Sequence, residues 1–165
     1  MAARVRIIGI GSPFGDDRLG WVAAERLRDS PAVQAAAERI DISVLDGPGN
    51  ELIAQWKGAD TVVVIDAVRS GAMPGTVHCL DAAEIGDDVR LISSHGFGLA
   101  SALALGRALG ELPNRTYVCG IELDPAHSAE NLSPAIRAAL PQLLHQVEGL
   151  AVTEFVSSSP AGNSD

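Results

Sequence analysis

Two runs of sequence constrain this chain more than any other feature. RVRIIGI, residues 4–10, and TVVVIDA, residues 61–67, are apolar and β-branched at nearly every position. A strand with one wet face alternates apolar and polar side chains, so unbroken runs belong to strands covered on both faces, as in a parallel sheet between helical layers. Between and after them the pattern alternates. ISVLDG (42–47), PGTVHCL (74–80) and RTYVCGIEL (115–123) read as further strands. Apolar positions at helical spacing follow the first strand from Leu19 to Leu27, and ELIAQW reads as a short helix. GLASALALGRALG (98–110) reads as a helix stopped at Gly110, and a last helix opens at Ser133-Pro134 and runs to about Gly149. Strands alternating with helices imply right-handed crossovers. The expected fold is therefore α/β: three layers, with a twisted, mainly parallel sheet of about five strands and helices on both faces.

With 165 residues the chain is long enough to bury a core without disulfides or a structural metal, and residues 1–150 read as a single domain. The small polar tail, 151–165, is expected to be disordered. No apolar run approaches the roughly 18 residues of a membrane span, and the apolar run near the N-terminus is too short for a secretion signal. Cys79 and Cys119 both lie in strand-like stretches, so buried free thiols are expected, which suits a reducing cytoplasm. A net charge of -9 with a single lysine, Lys57, argues against nucleic acid as a partner, since phosphate binding needs clustered cations.

In open α/β sheets the functional crevice lies beyond the carboxyl ends of the strands. Here those ends carry acid. The first strand leads into Asp16 and Asp17, the second ends in Asp46, the third ends in Asp66, and His95 precedes the helix at Gly98. Acids gathered at strand ends repel unless a cation, a proton or helix dipoles offset them, and two carboxylates with one imidazole suit nickel, zinc, cobalt or manganese. Each residue also has an ordinary role: Asp16 or Asp17 as a helix N-cap, Asp66 as a strand terminator, His95 as a loop histidine bonded to backbone. Other site types fit less well. Gly9-Ile10-Gly11 lacks the third glycine of a dinucleotide fingerprint. Ser93 and Ser94 sit in no G-x-S-x-G elbow. A receiver domain has a similar fold and acid pattern but needs a lysine where this chain reads CGIELD.

The segments RIIGIGSPFGDDRLGW, VVVIDAVRSGAMPGTV, SSHGFGLASALALGRALGELP and YVCGIEL…LSPAIRAALPQLL, in that order over most of residues 4–148, resemble the maturation endopeptidases of nickel-iron hydrogenases. The resemblance implies that Asp17, Asp66 and His95 are the catalytic and metal-contacting residues, and that Asp46 and Gly47, in a block similar to the family's D-G-G, contact substrate. It implies an aspartic-type, cytoplasmic endopeptidase that removes the C-terminal extension from the precursor of the hydrogenase large subunit once nickel is inserted. Nickel carried by the substrate would be the recognition element, with no permanent metal and no membrane partner. The chain departs from the family in having Asp17 where Glu is common, Ser12 for the usual Asn, Arg18 for Gly, and Pro48 for the second glycine of the D-G-G block. The alternative is a metal-binding or receiver-like regulatory module without proteolysis.

Overall fold

In the computed structural model, which describes residues 4–47, 51–85 and 97–157, the two apolar runs are neighbouring strands. β1 (Val5–Gly11) lies parallel to β3 (Thr61–Val68), with Val5 opposite Thr61 and Gly9 opposite Ile65. β2 (Ile40–Asp46) flanks β1 on the other side, and β5 (Arg115–Glu122) lies parallel to β3. β4 (Val77–Asp81) closes the edge antiparallel to β5. The order is β2-β1-β3-β5-β4. Every residue of β3 is buried, which is why its sequence shows no alternation.

Alternate side chains of these strands enter two cores. On one face Ile7, Val63, Ile65 and Ile121 pack with Leu19, Ala23 and Leu27 of α1 (Leu19–Arg28) and with Ile136, Leu143 and Val147 of the last helix. On the other, Ile8, Ile10, Val64 and Val118 pack with Leu52 and Trp56 of α3 (Glu51–Trp56) and with Leu99 and Leu103 of α5 (Phe97–Leu109). This is the expected three-layer α/β arrangement. The glycines of the first strand have a packing role: a Cβ on Gly9 would stand 2.1 Å from the carbonyl oxygen of Gly20, and one on Gly20 would stand 2.0 Å from that of Ile10. α1 therefore lies nearly backbone to backbone on β1, and this approach fixes where the turn between them emerges.

Three local expectations change. A short α2 (Pro31–Ala35) follows α1, opened by Ser30, whose side chain accepts from the Val33 N–H; it carries the same Ser-Pro signal as the last helix. A one-turn α4 (Ala82–Ile85) follows β4. The last helix, α6 (Pro134–Ser157), continues beyond Gly149 because Ala151, four residues after Val147, is still fully buried in the core; residues 158–165 lie outside the described residues. Among the described residues no helix is long and apolar enough to cross a membrane.

The strand order creates the crevice. From β1 the chain crosses through α1 to β2 on one side, then returns through α3 to β3 on the other. The connections diverge at the carboxyl ends of β1 and β3, the position at which open α/β sheets bind ligands.

Candidate active site

The turn leaving β1 holds two adjacent acids with opposite surroundings. Gly15–Arg18 form one 3-10 turn, which packs on β3. Asp16 is buried: Oδ1 accepts the Ser133 N–H at 2.7 Å and Oδ2 the Asp124 N–H at 2.9 Å. Ser133 in turn caps α6, so Asp16 ties the first loop to the segment joining β5 to α6. Neither acid caps α1, whose N-cap position is Arg18 with no side-chain cap bond; the N-cap role considered for Asp16 and Asp17 is not the one they have. Asp17 is half-buried, and its main-chain oxygen accepts from the Ser12 N–H at 3.0 Å. Both acids border an open pocket of about 210 Å³ together with Phe14, Arg69, Asp124 and His127. Phe14 is 68% exposed at the rim.

Asp66 stands on β3, opposite Gly120 of β5 and only 1% exposed. It does not terminate the strand, which continues through Ala67 and Val68. Gly120 has a reason to be glycine, because a Cβ there would lie 2.0 Å from the Asp66 carbonyl oxygen. By alternation Asp66 shares the face of Val64, toward α3 and α5, whereas Ile65 and Ala67 face α1 and α6. Asp46, exposed at the end of edge strand β2, is opposite Gly11, and Gly47 follows at φ +89°, the left-handed region that glycine enters without strain. β1 thus separates Asp46 from the strand bearing Asp66. His95 lies outside the described residues, as does Pro48. Among the described residues no three His, Cys, Asp or Glu side chains converge on one point that could hold a metal.

One group at this end of the sheet has no counterpart in the sequence reading. Glu122, the last residue of β5 and 2% exposed, accepts from the N–H groups of Ser70 and Gly71, both at 2.8 Å, and from the Ser70 hydroxyl at 2.9 Å. His78 Nε2 lies 3.2 Å from the same carboxylate. Ser70 and Gly71 begin the loop after β3, so Glu122 anchors the chain as it leaves the Asp66 strand, and Arg69 at the head of that loop stands exposed at the pocket. A glutamate inside an otherwise apolar strand, CGIEL, was the available signal. It also fills the region where a receiver domain would need lysine.

Residues 30–150 match the model of the hydrogenase maturation protease family, HycI. The chain belongs to this family. It is 29% identical over 153 residues to the hydrogenase expression/formation protein HupD of Thiocapsa roseopersicina, covering 84% of this chain and 67% of the relative. The hydrogenase maturating endopeptidase HybD from Escherichia coli has a similar structure, with a TM-score of 0.72 and 26% identity over 92% of this chain and 93% of that one. The maturation protease HybD from Thermococcus kodakarensis gives 0.68 and 26% over 90% and 99%. The protein is accordingly a hydrolase of the maturation-protease class, and the regulatory module without proteolysis falls away.

Proposed function

We propose that this protein is a cytoplasmic, aspartic-type endopeptidase that removes the C-terminal extension of a nickel-iron hydrogenase large-subunit precursor after nickel insertion, within the one domain read over residues 1–150, which α6 carries on to Ser157. The observation that carries the reading is the contrast at the crevice: Asp16 and Asp17 border the same open pocket, but the Asp16 carboxylate is committed to backbone amides while, among the described residues, that of Asp17 is engaged in no hydrogen bond. In this reading Asp17, Asp66 and His95 contribute two oxygens and one nitrogen to nickel that the precursor already holds, and no permanent metal resides in the enzyme. Three protein ligands suit that task, since a first-row cation retains positions for ligands from the substrate. Docking through the ion orients the scissile peptide, and orientation alone removes much of the barrier to its hydrolysis. An aspartate of this set acts as general base toward water, with the carbonyl polarised by the nickel of the substrate. Asp46 and Gly47 contact the precursor at the β2 end of the crevice.

The test is to incubate the enzyme with nickel-loaded and nickel-free precursor and to measure the mass of the large subunit. Shortening of the loaded form alone is expected. Equal cleavage of both forms would remove nickel as the recognition element, and cleavage of neither would remove the assignment of substrate.

A further inference from the structure

Away from the crevice, the two cysteines occupy directly opposed positions. Cys79 of β4 is paired with Cys119 of β5 in the antiparallel register, so both side chains leave the sheet on the same face. The Glu122 N–H donates to the Thr76 oxygen, which makes that opposed pair a hydrogen-bonded one; three residues along the alternation, Cys79 and Cys119 form a non-hydrogen-bonded pair. Opposed Cα atoms in such pairs are about 4.5 Å apart, and disulfides span about 4.4 to 6.8 Å. The thiols are free and unequal in access: Cys119 is fully buried in the core, whereas Cys79 is partly buried and lines an open pocket against α6 with Gln146, Leu150 and Thr153. Gly149 also borders this opening, and its missing side chain leaves open space.

We propose that Cys79 and Cys119 form an intramolecular thiol pair that is oxidised by hydroperoxides, with Cys79 as the attacking sulfur and Cys119 as the resolving one. The Cys119 S–H donates to the Cys79 sulfur and holds the Cys79 thiol below its ordinary pKa, while the same hydrogen bond and burial push Cys119 well above it. Cys79 is therefore the thiol that ionises first. Its thiolate attacks one oxygen of the hydroperoxide, the O–O bond breaks, and the other oxygen leaves with a proton as the alcohol, or as water from hydrogen peroxide. Cys79 becomes a sulfenic acid. The Cys119 sulfur then attacks the Cys79 sulfur, and the hydroxyl leaves as water with the Cys119 proton, forming the S–S bond. Two thiols lose two protons and two electrons, and one hydroperoxide is reduced to alcohol and water. The pair is independent of the assignment of substrate.

The experiment is a titration of the purified full-length protein with hydrogen peroxide, followed by alkylation, intact mass and non-reduced peptide mapping. Both thiols should disappear together, the monomer should lose the mass of two hydrogens, a peptide cross-linked through Cys79 and Cys119 should appear, and dithiothreitol should restore the starting mass. Cys119→Ala should stop at a sulfenic acid on Cys79 that dimedone traps, and Cys79→Ala should leave Cys119 unreacted over the same time. The wild-type measurement stands even if a variant fails to fold. Oxidation of Cys79 to sulfinic acid with Cys119 still alkylated, a disulfide between two molecules, or no reaction at a peroxide level that oxidises free cysteine would each overturn the proposal.

Discussion

Asp16 and Asp17 are consecutive residues of one turn, yet their carboxylates meet different chemistry. Asp16 is buried with an amide N–H on each oxygen, whereas Asp17, at the same pocket, is half-buried and, among the described residues, its carboxylate takes part in no hydrogen bond. Glu122 belongs with Asp16: buried, with both oxygens engaged by the loop after β3. A carboxylate held by backbone amides stabilises the loops that make the crevice, and recruiting it to a metal would leave those amides buried and unpaired. A carboxylate without such partners can be given to a substrate cation at no structural cost. Substitutions at Asp17, Asp16, Glu122 and Asp46 separate these two kinds of acid.

The largest effect is expected at Asp17. Asp17→Asn should reduce precursor processing by about 100-fold or more, the scale of losing a catalytic acid-base or charge-stabilising group, and should leave the thermal midpoint nearly unchanged. Asp17→Glu should retain part of the activity. Processing assays beside thermal denaturation check both, and an Asn variant with full activity would place Asp17 with the purely structural acids.

At Asp16 the loss should fall on stability instead. Asp16→Ala leaves the buried Ser133 N–H and the part-buried Asp124 N–H without their partner; at about 1–3 kcal/mol for an unsatisfied buried donor and less for one that water can reach, the cost is roughly 1–4 kcal/mol. Urea denaturation measures it. Processing by the fraction that remains folded should be far less affected than in Asp17→Asn, and a stable but inactive Asp16→Ala would break the distinction.

Glu122→Gln is milder because the amide oxygen can still accept from Ser70 and Gly71, while its NH₂ meets the Ser70 hydroxyl and His78, both of which can present an acceptor. A destabilisation of about 1–3 kcal/mol is expected, the difference between a charged and a neutral hydrogen-bonded group. Glu122→Ala should cost more. If the two variants denature at the same urea concentration, the carboxylate does not anchor the loop.

How much of this was legible in the sequence depended on the range of the interaction. The strands β1 and β3 were visible because burial on both faces leaves an unmistakable apolar run, and α6 announced its start through Ser133-Pro134. Asp17 and Asp66 were singled out by the rule that crevices form at the carboxyl ends of strands. The roles of Asp16 and Glu122 did not, since their partners lie 117 and 52 residues away in the chain and no local pattern encodes them. The same holds for Cys79 and Cys119: each looked like a buried strand thiol, and only the register of β4 on β5 sets them face to face. Asp66 was read at the end of its strand, with strand termination as its ordinary role, but here the strand continues two residues further, to Val68.

The smallest effect is expected at Asp46, which separates docking from chemistry. It is exposed at the end of β2, opposite Gly11, and β1 lies between it and the Asp66 strand, two strand spacings or about 10 Å away. A direct metal bond of about 2 Å shared by both carboxylates is therefore not the natural arrangement across these strands. Asp46→Ala should change stability by no more than about 0.5 kcal/mol, as exposed substitutions do. If Asp46 touches the precursor away from the reacting bond, KM should rise while kcat stays near its original value, the signature of a lost contact made equally in the ground and transition states. Initial rates over a range of precursor concentrations separate the two constants. A fall in kcat comparable to that of Asp17→Asn would instead join Asp46 to the reacting centre.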